Sequence, residues 1–272
     1  MIRSPAVAGQ FYYYDSRMLE EQVSSFMVEG AEKEDVLGVV APHAGFMYSG
    51  AAAGEVYSRI TPADTYVIVG PNHTGLGAAY SIVTSGVWRM PFGEVEVNRD
   101  LAQNIILNSK YLEEDVLAHQ HEHSIEVQLP FIHGLGKDFT FVPVCVGHMP
   151  LSDYSLEVAR DIGSAVAKAA NKTNERVVVV ASTDLTHYEP QKMAEEKDRA
   201  VLDAIVSLDP KRLFEEVGRR KVSMCGYGPT AIMLYACLAL GARKAEVVKY
   251  MTSGDVTGDF RQVVGYAGVI VK

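Results

Sequence analysis

Six short, almost continuous apolar runs punctuate the chain: VLGVVA (36–41), TYVIVG (65–70), FTFVPVCV (139–146), RVVVVAS (176–182), AEVVKYM (245–251) and VGYAGVIV (264–271). Each is rich in Val and Ile and lacks the alternation of a strand with one wet face. Each therefore predicts a strand buried on both sides within a helix-covered sheet. Between them the apolar spacing switches to the helical period at 48–60, 98–109, 124–135, 151–172, 191–208 and 229–242. Start and stop signals support several of these: Ser152 or Asp153 before the fourth, Asp209-Pro210 opening a further short helix, and Gly241 closing the last. Alternation of strand and helix predicts an α/β fold, a three-layer αβα arrangement around a central, largely parallel or mixed sheet. Extended segments around Trp88 and Pro91 break the alternation between Ala78 and Val97 and predict some antiparallel pairing. Without a repeat or Pro/Ser-rich linker to mark a boundary, residues 1–272 are expected to form one domain.

Residues 222–242 carry no charge, yet Gly226, Gly228 and Pro229 interrupt them. The apolar part that remains falls short of the roughly 20 residues a membrane-spanning helix needs, so a buried core helix is predicted and no membrane partner is expected. The balance of 25 Lys and Arg against 34 Asp and Glu gives a net charge of −9, with no basic run to offset it, which argues against nucleic acid. The 3 cysteines, Cys145, Cys225 and Cys237, form no C-x-x-C pair and no closed disulfide framework. With no apolar signal-like stretch in MIRSPAVAGQFYYYD, a reducing, cytoplasmic location is expected. No G-x-x-x-x-G-K-[ST] or G-x-S-x-G motif occurs, which removes the main support for P-loop chemistry and for an α/β-type serine hydrolase.

The candidate chemistry lies just beyond the apolar runs. Pro42-His43-Ala44-Gly45, Pro71-Asn72-His73-Thr74-Gly75, Gly147-His148 and Thr183-Asp184-Leu185-Thr186-His187 each place a histidine just past a strand. Ligands of open α/β sheets bind beyond the carboxyl ends of the strands, so these imidazoles are candidates to converge. A histidine after a strand is also an ordinary loop residue, and His148 carries no further support. Converging neutral imidazoles suit a metal that needs a third ligand. Cys225 is the candidate thiolate, since it precedes a helix whose N-terminal dipole would lower its pKa; the competing reading is a small buried hydrophobe. Asp184 and His187 stand three apart, placing the carboxylate to orient an acid/base imidazole or, alternatively, to cap the turn. In HQHEHSIE (119–126), His123 and Glu126 are expected to share a face and support the metal from outside the ligand set, while His119 and His121 face water. The FYYY cluster (11–14) is expected to tie down the N-terminal segment.

The blocks SPAVAGQFY, APHAGFMYSG, VGPNHTG, EHSIEVQLPF, STDLTHY and MCGYGPT occur in this order from end to end and together resemble the Memo family. That family is similar in fold to the LigB-type class III extradiol dioxygenases, non-haem iron(II) enzymes that open catechol rings. The resemblance implies His43 and His73 as metal ligands and His187 as the catalytic acid/base. It places Cys225 where those dioxygenases use a carboxylate, and a thiolate is the softer donor, one that also favours copper or zinc. The function expected is a metal-dependent redox or dioxygenase-like activity with one metal ion, iron(II) foremost. The alternative is a non-catalytic module that holds a phosphopeptide or other acidic ligand in the same pocket.

Overall fold

A computed structural model describes all 272 residues. The strands are β1 Ile2–Arg3, β2 Gly38–Ala41, β3 Thr65–Pro71, β4 Tyr80–Ile82, β5 Val87–Met90, β6 Gly93–Glu96, β7 Glu113–Glu114, β8 Thr140–Val146, β9 Val177–Ser182, β10 His187–Glu189, β11 Ala245–Thr252 and β12 Val263–Val271. The helices are α1 Ser16–Phe26, α2 Phe46–Ser58, α3 Arg99–Asn108, α4 Leu129–His133, α5 Asp153–Ala170, α6 Gln191–Val206, α7 Pro210–Arg220, α8 Tyr227–Ala239 and α9 Ser253–Thr257. All six apolar runs form strands of one nine-stranded sheet, ordered β10-β12-β2-β9-β3-β8-β4-β7 with β11 on the free side of β12.

The heart of that sheet is parallel, β2 on β9, β9 on β3 and β3 on β8, while β12 and β4 join antiparallel. The sheet is mixed, and the extended residues around Trp88 supply β5 and β6 of a separate three-stranded sheet with β1. Helix α8 lies over β2, β3 and β9 with α5 packed behind it, and α2 lies over β11 and β12 beside α1, completing a three-layer α/β fold. Register matters for the site. Ala41 pairs with Ser182 and Pro71 with Val146, so β2, β3, β8 and β9 end together and release residues 42–45, 71–75, 147–149 and 183–187 on one edge.

The charge-free stretch is α8, buried on nearly every position, and no helix is long and apolar enough to cross a membrane. Two elements depart from the sequence pattern. Helix α1 buries only Leu19 and Val23, too narrow a stripe to register as a period, although Asp15 caps it by accepting from the Met18 N–H at 3.0 Å. The 124–135 segment is a 3-10 turn, Glu126–Gln128, leading into the short α4, because its polar side chains turn inward to hold other loops.

One close approach sets the distance between α5 and α8. A methyl group on Gly163 would meet the Ile232 carbonyl oxygen at 2.6 Å and the Ala236 nitrogen at 2.9 Å. Helix propensity alone would make Gly163→Ala stabilising by about 1 kcal/mol. Overpacking against a neighbouring backbone outweighs that, and we expect a net loss of about 1–2 kcal/mol. A urea midpoint that falls with an unchanged slope would show it; a rising midpoint would show that the helices can move apart.

Candidate metal centre

Three imidazoles converge beyond the strand ends. His43 follows β2, His73 follows β3, and His123 enters from the loop before α4; one ring nitrogen from each lies within 4.8 Å of the others. The rings meet edge to face, His43 to His73 at 5.0 Å and His43 to His123 at 5.5 Å between centroids, and His73 stacks on His123 at 4.6 Å. Burial pushes the His43 pKa well below its ordinary value, and the neighbouring imidazoles push it further. The His123 pKa is lowered too, first by burial. Imidazoles that resist protonation while sharing one small space are ready ligands for a cation.

Hydrogen bonds fix which nitrogen is presented. The Ser182 hydroxyl donates to the Ser124 carbonyl at 2.6 Å and accepts from the Gln128 amide at 2.8 Å. It is therefore an acceptor at 2.9 Å for the His43 Nδ1–H, leaving Nε2 with its lone pair toward the cluster. Glu122 does the same for His73. Its carboxyl pKa is held down to about 2 despite burial, chiefly by His73, so the His73 Nδ1–H donates to Oε1 at 2.9 Å and the His73 backbone N–H to Oε2 at 2.6 Å. Oε1 also accepts the backbone N–H groups of His123 and Ser124, at 2.9 and 2.8 Å. One buried carboxylate thus positions two of the three imidazoles, a second layer typical of metal-binding histidines.

Cys225, at the end of the loop before α8, puts its Sγ 3.2 Å from His43 Nε2. Burial pushes the thiol up to about 12, and the Asp184 carboxylate adds to this, so without a cation it stays protonated and is placed to donate to that nitrogen. The helix dipole does not win here. Asp184 itself accepts the His43 backbone N–H at 2.8 Å, and burial raises its pKa to about 6. His187 is oriented by carbonyls: its Nδ1 lies 2.7 Å from the Leu185 oxygen and 2.9 Å from the Ser223 oxygen, both acceptors, so Nδ1 carries the proton and Nε2 is free. His43, His73, His123, Asp184 and His187 all line one open cavity of about 690 Å³.

A family profile described as Memo-like protein matches residues 3–270. The chain belongs to the Memo family. A MEMO1 family protein of Methanopyrus kandleri is 44% identical over 287 residues, covering 100% of this chain and 99% of its own. One of Methanosarcina barkeri is 43% identical over 274 residues, with full coverage of both chains. Among solved structures, an uncharacterized protein from Escherichia coli K12 superposes with a TM-score of 0.54 at 12% identity, over 86% of this chain and 98% of that one, a likeness of fold alone.

In this Memo-family chain the expected His43 and His73 come together, but the third member of the cluster is His123, expected behind it, and not Cys225, whose Sγ lies outside the group and 3.2 Å from His43 Nε2. Glu126 sits elsewhere: its carboxylate accepts from Arg3, Ala6, Val7 and Tyr12, and the supporting role expected of it belongs to Glu122. Asp184 holds the His43 backbone instead of the His187 ring. His119 does not face water; it is fully buried, with Nε2 3.1 Å from the Ser81 hydroxyl, and burial lowers its pKa to about 4. Asp198 escapes sequence reasoning altogether. From within α6 it accepts the Thr186 backbone N–H at 2.9 Å and the Tyr250 hydroxyl at 2.9 Å, steadying the loop that carries His187. No motif flanks it, and only a buried carboxylate in a helix hints at its role.

Glu122→Gln keeps the shape while removing the charge that holds the His73 proton on Nδ1. We expect metal affinity to fall by about 10–100-fold. Zinc titration by calorimetry measures this, and an unchanged affinity would mean that the carboxylate does not tune the imidazoles.

Proposed function

We propose that the protein is a metal-dependent oxidoreductase of the extradiol-dioxygenase kind, acting on a small molecule in the cavity above the histidine cluster. The observation that carries this reading is the juxtaposition of three imidazole nitrogens within 4.8 Å and a free His187 Nε2 on the wall of the same cavity. His43, His73 and His123 would hold one ion, with Cys225 beside His43 as a further donor; imidazole suits iron, copper and zinc alike, and iron(II) is our first choice. Iron bound there supplies Lewis acidity toward a phenol oxygen and electron exchange with O₂.

The remaining work falls to the chain. His187 Nε2 takes the proton of a substrate hydroxyl, and the two carbonyls at Nδ1 stabilise the imidazolium that results. Asp184 holds the His43 backbone, keeping one ligand on the cavity floor. An acidic peptide is the weaker occupant, because Asp184 and Asp259 line the cavity and no Lys or Arg does.

The test is O₂ uptake by anaerobically purified, iron-loaded protein given catechol. Consumption is expected, and His187→Ala should lower it by about 10²–10⁴-fold while leaving iron binding intact. No uptake, together with phosphopeptide binding that survives chelation, would replace this reading with a binding module.

A further inference from the structure

Three non-glycine residues have a left-handed backbone: Leu208 at φ 54°, Lys221 at φ 52° and Tyr188 at φ 57°. Leu208 and Lys221 terminate helices α6 and α7, where such a residue is the usual stop. Tyr188 has no such excuse. It lies inside β10, immediately after His187, and a bulky side chain in this conformation is a true outlier. The pairing of β10 with β12 slips at that point: His187 faces Val264 and Glu189 faces Val263, so Tyr188 is an extra, unpaired residue. Such bulges beside active sites re-aim a side chain. The ring that results is 71% exposed, forms part of the cavity wall and lies 5.8 Å from the His187 ring.

Exposure alone would not single Tyr188 out, but a bulky residue held on a strained backbone at a bulge in the wall of the cavity points to a role in what the cavity binds. From the Tyr188 backbone, its exposure over the cavity and the absence of any cationic side chain in the lining, we infer that Tyr188 is a specificity-determining platform. On it a small aromatic ligand without negative charge stacks while its hydroxyl faces His187. Tyr48, Tyr266 and Phe11 line the same cavity and would flank a ring-shaped occupant. The carboxylates of Asp184 and Asp259 favour a neutral or cationic ring over an anionic one, although Asp259 is already paired with Arg261 at 2.6 Å. This role for Tyr188 deepens the proposed function and rests on it for the presence of an aromatic substrate.

Three probes distinguish the cases: catechol, its cationic aminoethyl derivative dopamine and its carboxylate, protocatechuate. Each is titrated by calorimetry into metal-free protein, where neither oxidation nor the charge of an ion competes. Catechol and dopamine should bind, with protocatechuate weaker by about tenfold or more. Tyr188→Ala and Tyr188→Gly should each weaken catechol by about five- to tenfold, and Tyr188→Phe should stay within about twofold. Tyr188→Gly should also keep or raise Tm, by up to about 3 °C, because glycine relieves the backbone. Wild-type affinity in Tyr188→Ala, a lowered Tm in Tyr188→Gly, tighter binding of protocatechuate, or no binding of any probe would each overturn the inference. Stacking without O₂ uptake would overturn the oxidoreductase reading alone. O₂ uptake with unchanged catechol affinity in Tyr188→Ala would overturn the platform alone.

Discussion

His43→Ala should lose metal binding, with affinity falling by more than about 100-fold. Removing a group that only supports a ligand costs 10–100-fold, and the loss of the ligand itself exceeds that. His43 is 2% exposed and anchored at both ends, by the Ser182 hydroxyl on its ring and by Asp184 on its backbone N–H. The Cys225 thiol, 3.2 Å from the His43 Nε2, is held protonated by burial, and the Asp184 Oδ2 stands off at 4.0 Å, so neither takes the place of the imidazole. In the wild type, zinc at about 100 times its dissociation constant should stabilise the fold by about 2.7 kcal/mol. That shift should vanish in the variant, whereas the metal-free variant keeps its circular dichroism spectrum, since the backbone bond to Asp184 remains. A thermal melt with and without zinc reads both quantities. A zinc-dependent rise in Tm that persists in His43→Ala would show that the ion binds elsewhere.

The parts of this site legible in the sequence share one property, which is that regular structure delivers them. His43, His73 and His187 follow Val-rich runs whose parallel pairing brings the strand ends level, so a histidine a few residues past each run must lie on the same edge. Cys225 is legible from the Gly-Pro start of α8. The groups that support these residues are not legible in the same way. The choice between Glu122 and Glu126 depends on where a helix begins, and the segment instead passes through a 3-10 turn that points Glu126 at the N-terminal segment. Spacing pairs Asp184 with the nearby His187, yet Asp184 binds the backbone of His43, 141 residues away. Local spacing predicts i to i+3 contacts and is blind to those that the sheet creates. The bulge at Tyr188 is invisible in the sequence for the same reason, because a slip in register is a relation between two strands.

Glu126 supports the second large prediction, which concerns stability. Its carboxylate is fully buried and accepts from the Arg3 guanidinium at 2.7 Å, the backbone N–H groups of Ala6 and Val7 at 2.7 and 3.1 Å, and the Tyr12 hydroxyl at 2.6 Å. Four donors of the N-terminal segment therefore end on one side chain. Breaking a buried pair by removing one partner costs about 3–5 kcal/mol, and the two backbone N–H groups left unsatisfied add to this. Glu126→Ala should accordingly lose at least about 4 kcal/mol, a large fraction of the roughly 5–15 kcal/mol of a typical domain. If that variant does not fold, Tyr12→Phe gives the graded version, with an expected loss of about 1.5–3 kcal/mol for one hydrogen bond to a charged group. The consequence reaches the site, because the Phe11 carbonyl accepts the Phe46 N–H at 2.8 Å and the Phe11 ring packs on His123 at 4.9 Å. The double variant Arg3→Met/Glu126→Leu separates an ion pair from an anchor. A simple buried pair is often replaced by apolar residues at no cost. Here the Ala6 and Val7 N–H groups would still lack an acceptor, so the double variant should remain about 2 kcal/mol or more below wild type in chemical denaturation. Full recovery would mean that the carboxylate only neutralises Arg3, and that the segment beside the metal centre is held by its apolar contacts alone.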